Sequence, residues 1–434
     1  MTVLSSASLL PGRLLQLVRR PPAALVSLAD QGVVSGFGFV SGIVAARLLG
    51  IVEFGHFAMI IIVLTFAQSL HNALITAPMM TLVGARSGVS KAYGATILAG
   101  AFLLSAPGAA FVMAALLIGG MGPETLLAAC ALMLAQNLQF TLRRLLFAAG
   151  KGVQALFMDF ARAASFPLVA VLIWLEHDVI GGNGYVWLLA ATSFVTSLPF
   201  VIAVGRPILR RPRSLRLGAV TRRHIPLGRW LLPIVFVTFV QEQLIWLVAG
   251  SVLGLEALGG LRAAQYLVGL VLLLLAATEN VLPVAASRAY AEGGEPALRH
   301  YMLRTGVKLG IPVVSILVVL AGPGELWLGL IFGPEYAAYA NCLRVLAVGV
   351  VVVMVRDLAS NYFRAKRNTR VIFESLFVSM LVSLAVVIPL MRNGGVSGAA
   401  AAVIAGHTAS LIYLLVAGWR QSRPARSRTA PAPT

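Results

Sequence analysis

Apolar residues run through this chain in long blocks, each about the length that an α-helix needs to cross the hydrocarbon core of a bilayer, roughly 20 residues. Short polar or Gly/Pro interruptions separate about twelve such blocks. They predict spans near 25–48, 57–82, 92–118, 124–147, 153–175 and 185–204. A second set follows near 230–253, 262–285, 304–321, 338–363, 370–391 and 396–419. Backbone groups in lipid must be satisfied internally, and these blocks are much longer than barrel strands, so the pattern predicts an all-α membrane bundle. Two six-helix halves then fill 25–204 and 230–419, with terminal segments at 1–24 and 420–434.

Between the halves lies 205–229, GRPILRRPRSLRLGAVTRRHIPLGR, with eight arginines, one histidine and no carboxylate. Arginines beside a span hold their loop on the cytoplasmic face, so this basic linker is expected inside the cell. Further basic clusters around Arg86/Lys91, Arg143/Arg144/Lys151, Arg299/Arg304/Lys308, Arg364–Arg370 and the tail alternate with turns that carry few charges. An even number of spans then places both termini in the cytoplasm. Arg13, Arg19 and Arg20 precede the first span, and no small-residue cleavage site follows a short apolar stretch, so that span is expected to act as an uncleaved signal. The tail after Trp419, rich in Arg, Pro and Ala, is expected to be disordered.

Composition changes the picture in one respect. The 434 residues are 59% hydrophobic and 11% charged, yet the formal net charge is +19. The alternation of basic and uncharged segments accounts for that excess by topology and by contact with anionic lipid headgroups, and it argues against nucleic acid as a partner. Two cysteines, both within predicted spans, support neither a disulfide framework nor a metal site. No cofactor motif is present.

Internal symmetry is weak but visible: the turn after span one reads LLGIVEFG (48–55) and the turn after span seven reads VLGLEALGG (252–260). Eight prolines fall inside spans, Pro78, Pro107, Pro167, Pro199, Pro233, Pro283, Pro312 and Pro389, each favouring a bend. Two halves of this kind predict a site at their interface near the bilayer midplane.

Ionisable groups inside a bilayer cost about 2.5–3.5 kcal/mol each on insertion scales, so each needs a partner, a wet cavity or a function. The candidates for a substrate cavity are Asp30 and Gln31 in span one, His71 and Asn72 in span two, Arg162 in span five, Gln241 and Glu242 in span seven, Glu279 in span eight and Arg356 in span ten. Asp30 and Glu242 are the candidates for ion coupling. Asp159 and Arg162, three apart on one helix, are placed to pair with each other, while a guanidinium such as Arg162 also matches phosphate oxygens. His71 and Asn72 also fit simple helix-to-helix hydrogen bonding. Arg356 and Asp357 are adjacent, on different helix faces, and are expected to have separate partners. Arg344 is expected to snorkel outward. Trp327, Phe332, Tyr336 and Tyr339 are expected to form an interfacial aromatic belt.

Several stretches resemble the polysaccharide-flippase branch of the multidrug/oligosaccharidyl-lipid/polysaccharide exporter (MOP) superfamily. They are LADQGVVSGFGFVSGIVAARLLGIVEFGHF (28–57), HNALITAPM (71–79), LRRLLFAAGKGVQALFMDFAR (142–162), LRAAQYLVGLVLLLLAATENVLPVAASRAYAEGG (261–294) and ELWLGLIFGPEYAAYANCLRVLA (325–347). The resemblance implies a MATE-like fold and the movement of a polyprenyl-pyrophosphate-linked oligosaccharide across a bacterial inner membrane, with polysaccharide polymerase or export machinery as partners. A multidrug or cation antiporter of the same superfamily is the alternative. A membrane enzyme acting on lipid-linked sugars fits less well, because the longest outer segment, 322–337, carries only Glu325 and Glu335.

Overall fold

The computed structural model describes residues 23–84, 89–175, 181–210, 216–278 and 282–422. Arg13, Arg19, Arg20, Arg86, Glu279 and the tail from 423 therefore lie outside the described residues. The described residues form helices and no strand, as the apolar blocks require.

In chain order the helices are α1 (Ala23–His71), a π turn (Asn72–Thr76), α2 (Ala77–Gly84), α3 (Lys91–Ile118), α4 (Pro123–Ala148), α5 (Gly152–Leu175) and α6 (Gly182–Arg210). Then come α7 (Leu217–Glu242), α8 (Leu244–Leu253), α9 (Leu255–Thr278), α10 (Leu282–Ala321), α11 (Gly324–Ile331), a 3-10 turn (Pro334–Tyr339), α12 (Ala340–Ala365) and α13 (Thr369–Ser422). Among the described residues ten helices are long and apolar enough to cross a membrane.

Three of them reverse direction at glycine. Non-helical backbone interrupts α1 at Gly50 and α13 at Gly395. Ser41 and Phe57, on opposite sides of Gly50, both meet Tyr185: its hydroxyl donates to the Ser41 carbonyl and its ring packs edge-on 5.3 Å from Phe57. In α13 a Cβ on Gly398 would overlap the Leu390 carbonyl, and one on Gly406 would strike the Ser383 hydroxyl, so the two arms lie side by side. The α10 segment breaks at Gly293 and Gly294, and Leu282 and Ala286 before the break share a core with Leu298 and Met302 after it. Dividing α1 and α13 at Gly50 and Gly395 turns the ten helices into twelve crossings.

The matched turns read from the sequence have matched backbones. Gly50 adopts φ 71°, ψ 171° and Gly254 adopts φ 92°, ψ 170°. Positive φ is the reason glycine occupies both positions.

The chain divides into two compact units, Met1–Phe236 and Val237–Thr434. In the first, α4 is the most enclosed helix, packed by α3, α5 and α6 and burying Leu132, Met133, Leu142 and Leu145. In the second, α12 holds the same place between α10 and α13, burying Leu343, Leu346 and Val350.

Span seven begins at Leu217 rather than near Trp230, so 217–229 of the basic middle is helical. His224 fixes this stretch to the first unit: it is 3% exposed, and its Nε2 lies 3.0 Å from the Tyr93 hydroxyl. Gly228 passes so close to the Ala73 carbonyl that a Cβ would sit 3.0 Å from it.

Candidate functional site

In the first unit, helices α1, α4 and α5 bring six polar side chains together. Gln139 and Arg143 are four apart on α4 and therefore share one face. Arg143 reaches Asp30 on α1, with Nη2 at 2.5 Å and Nε at 2.6 Å from Oδ2. The same Nε lies 3.1 Å from Oδ2 of Asp159 on α5, and Nη2 donates to Gln31 at 3.3 Å. Gln139 donates to Asp159 Oδ1 at 2.7 Å and accepts from Arg162 Nη1 at 2.9 Å. Asp30 is 0% exposed and Asp159 2%.

Asp159 and Arg162 are therefore bridged through Gln139 rather than paired directly. The physical reason is competition: Arg143 enters from α4 and occupies the carboxylate, while the Arg162 guanidinium turns to stack 4.1 Å over the Phe37 ring. Beyond Phe37 the aromatic contacts continue to Phe166 (5.5 Å), Tyr185 (5.6 Å) and Phe57 (5.3 Å), linking the charged cluster to the Gly50 hairpin.

The cluster is unbalanced. Arg144, next to Arg143 on α4, stacks 5.2 Å over the Phe140 ring and makes no ion pair among the described residues, so this part of the unit holds three guanidiniums and two buried carboxylates. Asp30 Oδ1 and the Nε atoms of Arg144 and Arg162 are buried without a hydrogen-bond partner. Burying ions is costly unless they are paired and hydrogen-bonded, so one excess cation with unused donors is a place where an added anion gains most.

His71 and Asn72 sit elsewhere. His71 Nε2 lies 2.8 Å from the Thr141 hydroxyl, on the side of α4 away from Gln139 and Arg143, and Thr76 donates to Asn72 Oδ1 at 2.6 Å. Both serve the π turn and its packing, and the structure does not join them to the charged cluster.

In the second unit, span seven breaks at Gln243, between α7 and α8. Gln241 on one side is buried and donates to Ser379 at 3.0 Å. Glu242 has an exposed side chain, and its carbonyl accepts from the Trp246 indole at 2.7 Å. Gln243 accepts from Arg262 at 3.2 Å; Arg262 also donates to Gln265 at 2.6 Å and stacks 4.7 Å over Trp246. Its neighbours are amides and an aromatic ring, and its Nε is buried and unpartnered. No carboxylate lies within ion-pair distance of Arg262 among the described residues.

On α12, Arg356 donates from Nε and Nη2 to Asp357 Oδ1 at 3.0 and 2.6 Å, and its Nη1 lies 2.8 Å from His407 Nδ1. The expectation of separate partners for Arg356 and Asp357 is thus corrected: the long arginine stem curls back far enough to span the angle between adjacent helix positions. A guanidinium only donates, so His407 Nδ1 accepts and the imidazole proton resides on Nε2.

In the turn between α10 and α12, Glu325 is clamped by Arg344 Nη2 at 2.8 Å, and Arg344 also reaches the Ala321 carbonyl at 3.2 Å. The Glu325 backbone amide, and then Arg344, hold that carboxyl below its ordinary range. Phe332 and Tyr336 are both 0% exposed and pack on each other, with Phe332 also against Tyr266, so they belong to the core rather than to an interfacial belt.

The sequence matches no protein-family model and no curated protein. Solved structures share its architecture. The lipid II flippase MurJ in an inward closed conformation is 16% identical, with 91% of this chain and 87% of that chain covered and a TM-score of 0.65. An inward-facing multidrug resistance MATE family transporter of the MOP superfamily is 15% identical over 88% of this chain and 93% of its own, TM-score 0.62. A MOP superfamily transporter from Pyrococcus furiosus is 13% identical over 91% and 94%, TM-score 0.56. The fold is that of the MOP transporters.

Within this MOP fold, sequence reasoning overlooked two side chains. Arg143 reads as an inner-loop charge because it stands near the end of a span, and Arg262 reads as the flank of span eight. For Arg143 a signal existed: Asn137, Gln139, Thr141 and Arg143 alternate along a helix that is otherwise apolar. So many polar residues inside a span mark a helix with polar partners on more than one side.

Proposed function

We propose that the protein is a flippase for a polyprenyl-pyrophosphate-linked oligosaccharide, working in the bacterial inner membrane with both termini in the cytoplasm. The observation that carries this reading is the surplus of arginine inside the spans: three guanidiniums against two carboxylates in the first unit, and Arg262 without any carboxylate in the second. Guanidinium groups match pyrophosphate oxygens bidentately. A sugar pyrophosphate cannot cross hydrocarbon unaided, because its charges and hydroxyls would be left unsatisfied.

In this reading the headgroup phosphates compete with Asp30 and Asp159 for Arg143. Asp30, displaced from Arg143 in this way, and Glu242 in the second unit are the candidates for coupling headgroup movement to an ion. Polysaccharide polymerase or export machinery then receives the translocated headgroup. The likeness to a lipid II flippase supports this direction, and the resemblance of 28–57 and 142–162 to polysaccharide flippases supports the substrate class.

The multidrug-exporter reading draws on the MATE neighbour and on the two buried carboxylates, but Arg143 already occupies both of them, leaving little negative charge for a cationic drug.

The test is translocation in proteoliposomes of a prenyl-pyrophosphate sugar, with Arg162→Ala and Arg262→Ala compared with the unaltered protein. Both variants are expected to lose at least tenfold in rate while eluting as folded protein. Full activity in both would remove the arginines from the substrate path.

A further inference from the structure

The second unit carries a groove that the proposed transport does not use. It lies between the arm of α10 that follows Gly294, the last turns of α12 and the second arm of α13, with a volume of about 610 Å³. Its walls are Met302, Val307, Met354, Leu358, Leu414 and Leu415. Glycine makes room for it: a Cβ on Gly306 would press to 3.2 Å from Leu358, and one on Gly418 would touch Phe363 at 3.7 Å. From Arg299 to Val307 the α10 wall is about 12 Å long at 1.5 Å per residue.

The groove is amphipathic end to end. All polar groups stand at one mouth, where the three helices begin or end. Arg299 donates to Glu295 at 2.7 Å, and Lys366 reaches the same carboxylate at 3.3 Å. Tyr362 also donates to Glu295, at 2.6 Å. Trp419 lines the groove at the level of this mouth and is 56% exposed, the placement of an interfacial aromatic, with the exposed Arg420 next in the chain. Two cations, Arg299 and Lys366, share the one carboxylate of Glu295 and leave the mouth positive.

We propose that this groove is a binding site for an anionic glycerophospholipid, one acyl chain lying along Met302, Val307, Leu358 and Leu414 and the phosphate held by Arg299 and Lys366. Basic pockets between membrane helices recognise acidic headgroups in this way. The seated lipid bridges α10, α12 and α13 at the end where α10 reverses through Gly293 and Gly294. It therefore stiffens that reversal.

The test is lipid retention by native mass spectrometry after extraction from nanodiscs of equimolar phosphatidylglycerol and phosphatidylcholine. Each basic residue near a headgroup contributes about 1 kcal/mol, or about fivefold, so phosphatidylglycerol is expected to be retained at least fivefold over phosphatidylcholine. Arg299→Gln with Lys366→Gln is expected to bring the two lipids to parity. Gly306→Phe is expected to abolish retention, and Gly418→Val, with its ordinary contact distance, blocks the groove should the larger change prevent folding. Equal retention of the two lipids by the unaltered protein, or retention untouched by either glycine variant, overturns the proposal. Displacement of phosphatidylglycerol by equimolar undecaprenyl phosphate also overturns it, because the groove would then serve a prenyl tail. Transport loss in Arg162→Ala leaves this result unaffected, so the two readings fail separately.

Discussion

The two units place arginine on equivalent beams and use it differently. Helices α4 and α12 are each the enclosed helix of their unit, and Gln139 in one stands at the same distance from the helix start as Arg356 in the other. In the first unit the α4 arginine takes its carboxylates from two other helices, Asp30 on α1 and Asp159 on α5. In the second unit Arg356 takes its carboxylate from the next residue of its own helix. The first arrangement ties three helices together through buried charge. The second neutralises a charge locally, and Arg356 reaches the neighbouring helix only through His407. Across the two units, then, the same residue type acts as a structural clamp and as a locally satisfied charge.

The sharpest way to break this comparison is to remove each arginine. Arg143→Ala leaves two almost fully buried carboxylates without a counter-ion, a change that costs about 3–5 kcal/mol. Arg356→Ala leaves a single carboxylate, Asp357, whose side chain is 40% exposed rather than enclosed between helices. Thermal unfolding in detergent is expected to show a large loss for the first variant and a small one for the second. Adding Asp30→Asn and Asp159→Asn to Arg143→Ala is expected to recover most of the loss, since an uncharged cluster carries no unpaired ion.

A smaller effect sharpens the likeness between the units rather than their difference. Gly50 and Gly254 share a positive-φ backbone with extended ψ, essentially confined to glycine, and placing a Cβ there costs about 1–3 kcal/mol. Gly50→Ala and Gly254→Ala are expected to lower stability by similar amounts in the same unfolding assay. A loss at one position only would show that the two turns are not equivalent.

The fold was legible in the sequence because its causes are local. Twelve apolar blocks set the crossings, and glycine at 50, 254 and 395 marks backbone that other residues adopt at a cost. The clusters were legible only in part. Asp30, Gln31 and Arg162 stand out as charged or polar residues inside spans, and the structure brings all three to one place. Arg143, which joins them, was masked by the rule that assigns arginines near span ends to loops. No local pattern tells whether such an arginine turns outward to water or inward to carboxylates carried by two distant helices. The link from Asp159 through Gln139 to Arg162 was hidden for the same reason: spacing on one helix predicts the i,i+3 pair, and a third helix then takes the carboxylate. At Arg356 and Asp357 the helical-wheel separation misled, because side-chain length outweighed the angle between adjacent positions.

On the proposed function, surplus arginine inside the spans serves an anionic lipid-linked headgroup. Mass spectrometry of the lipids that remain on the purified protein tests it most directly. Prenyl-pyrophosphate-linked saccharides are expected on the unaltered protein and are expected to be lost from Arg262→Ala. Recovery of cationic amphiphiles in their place, undiminished in that variant, would contradict the account.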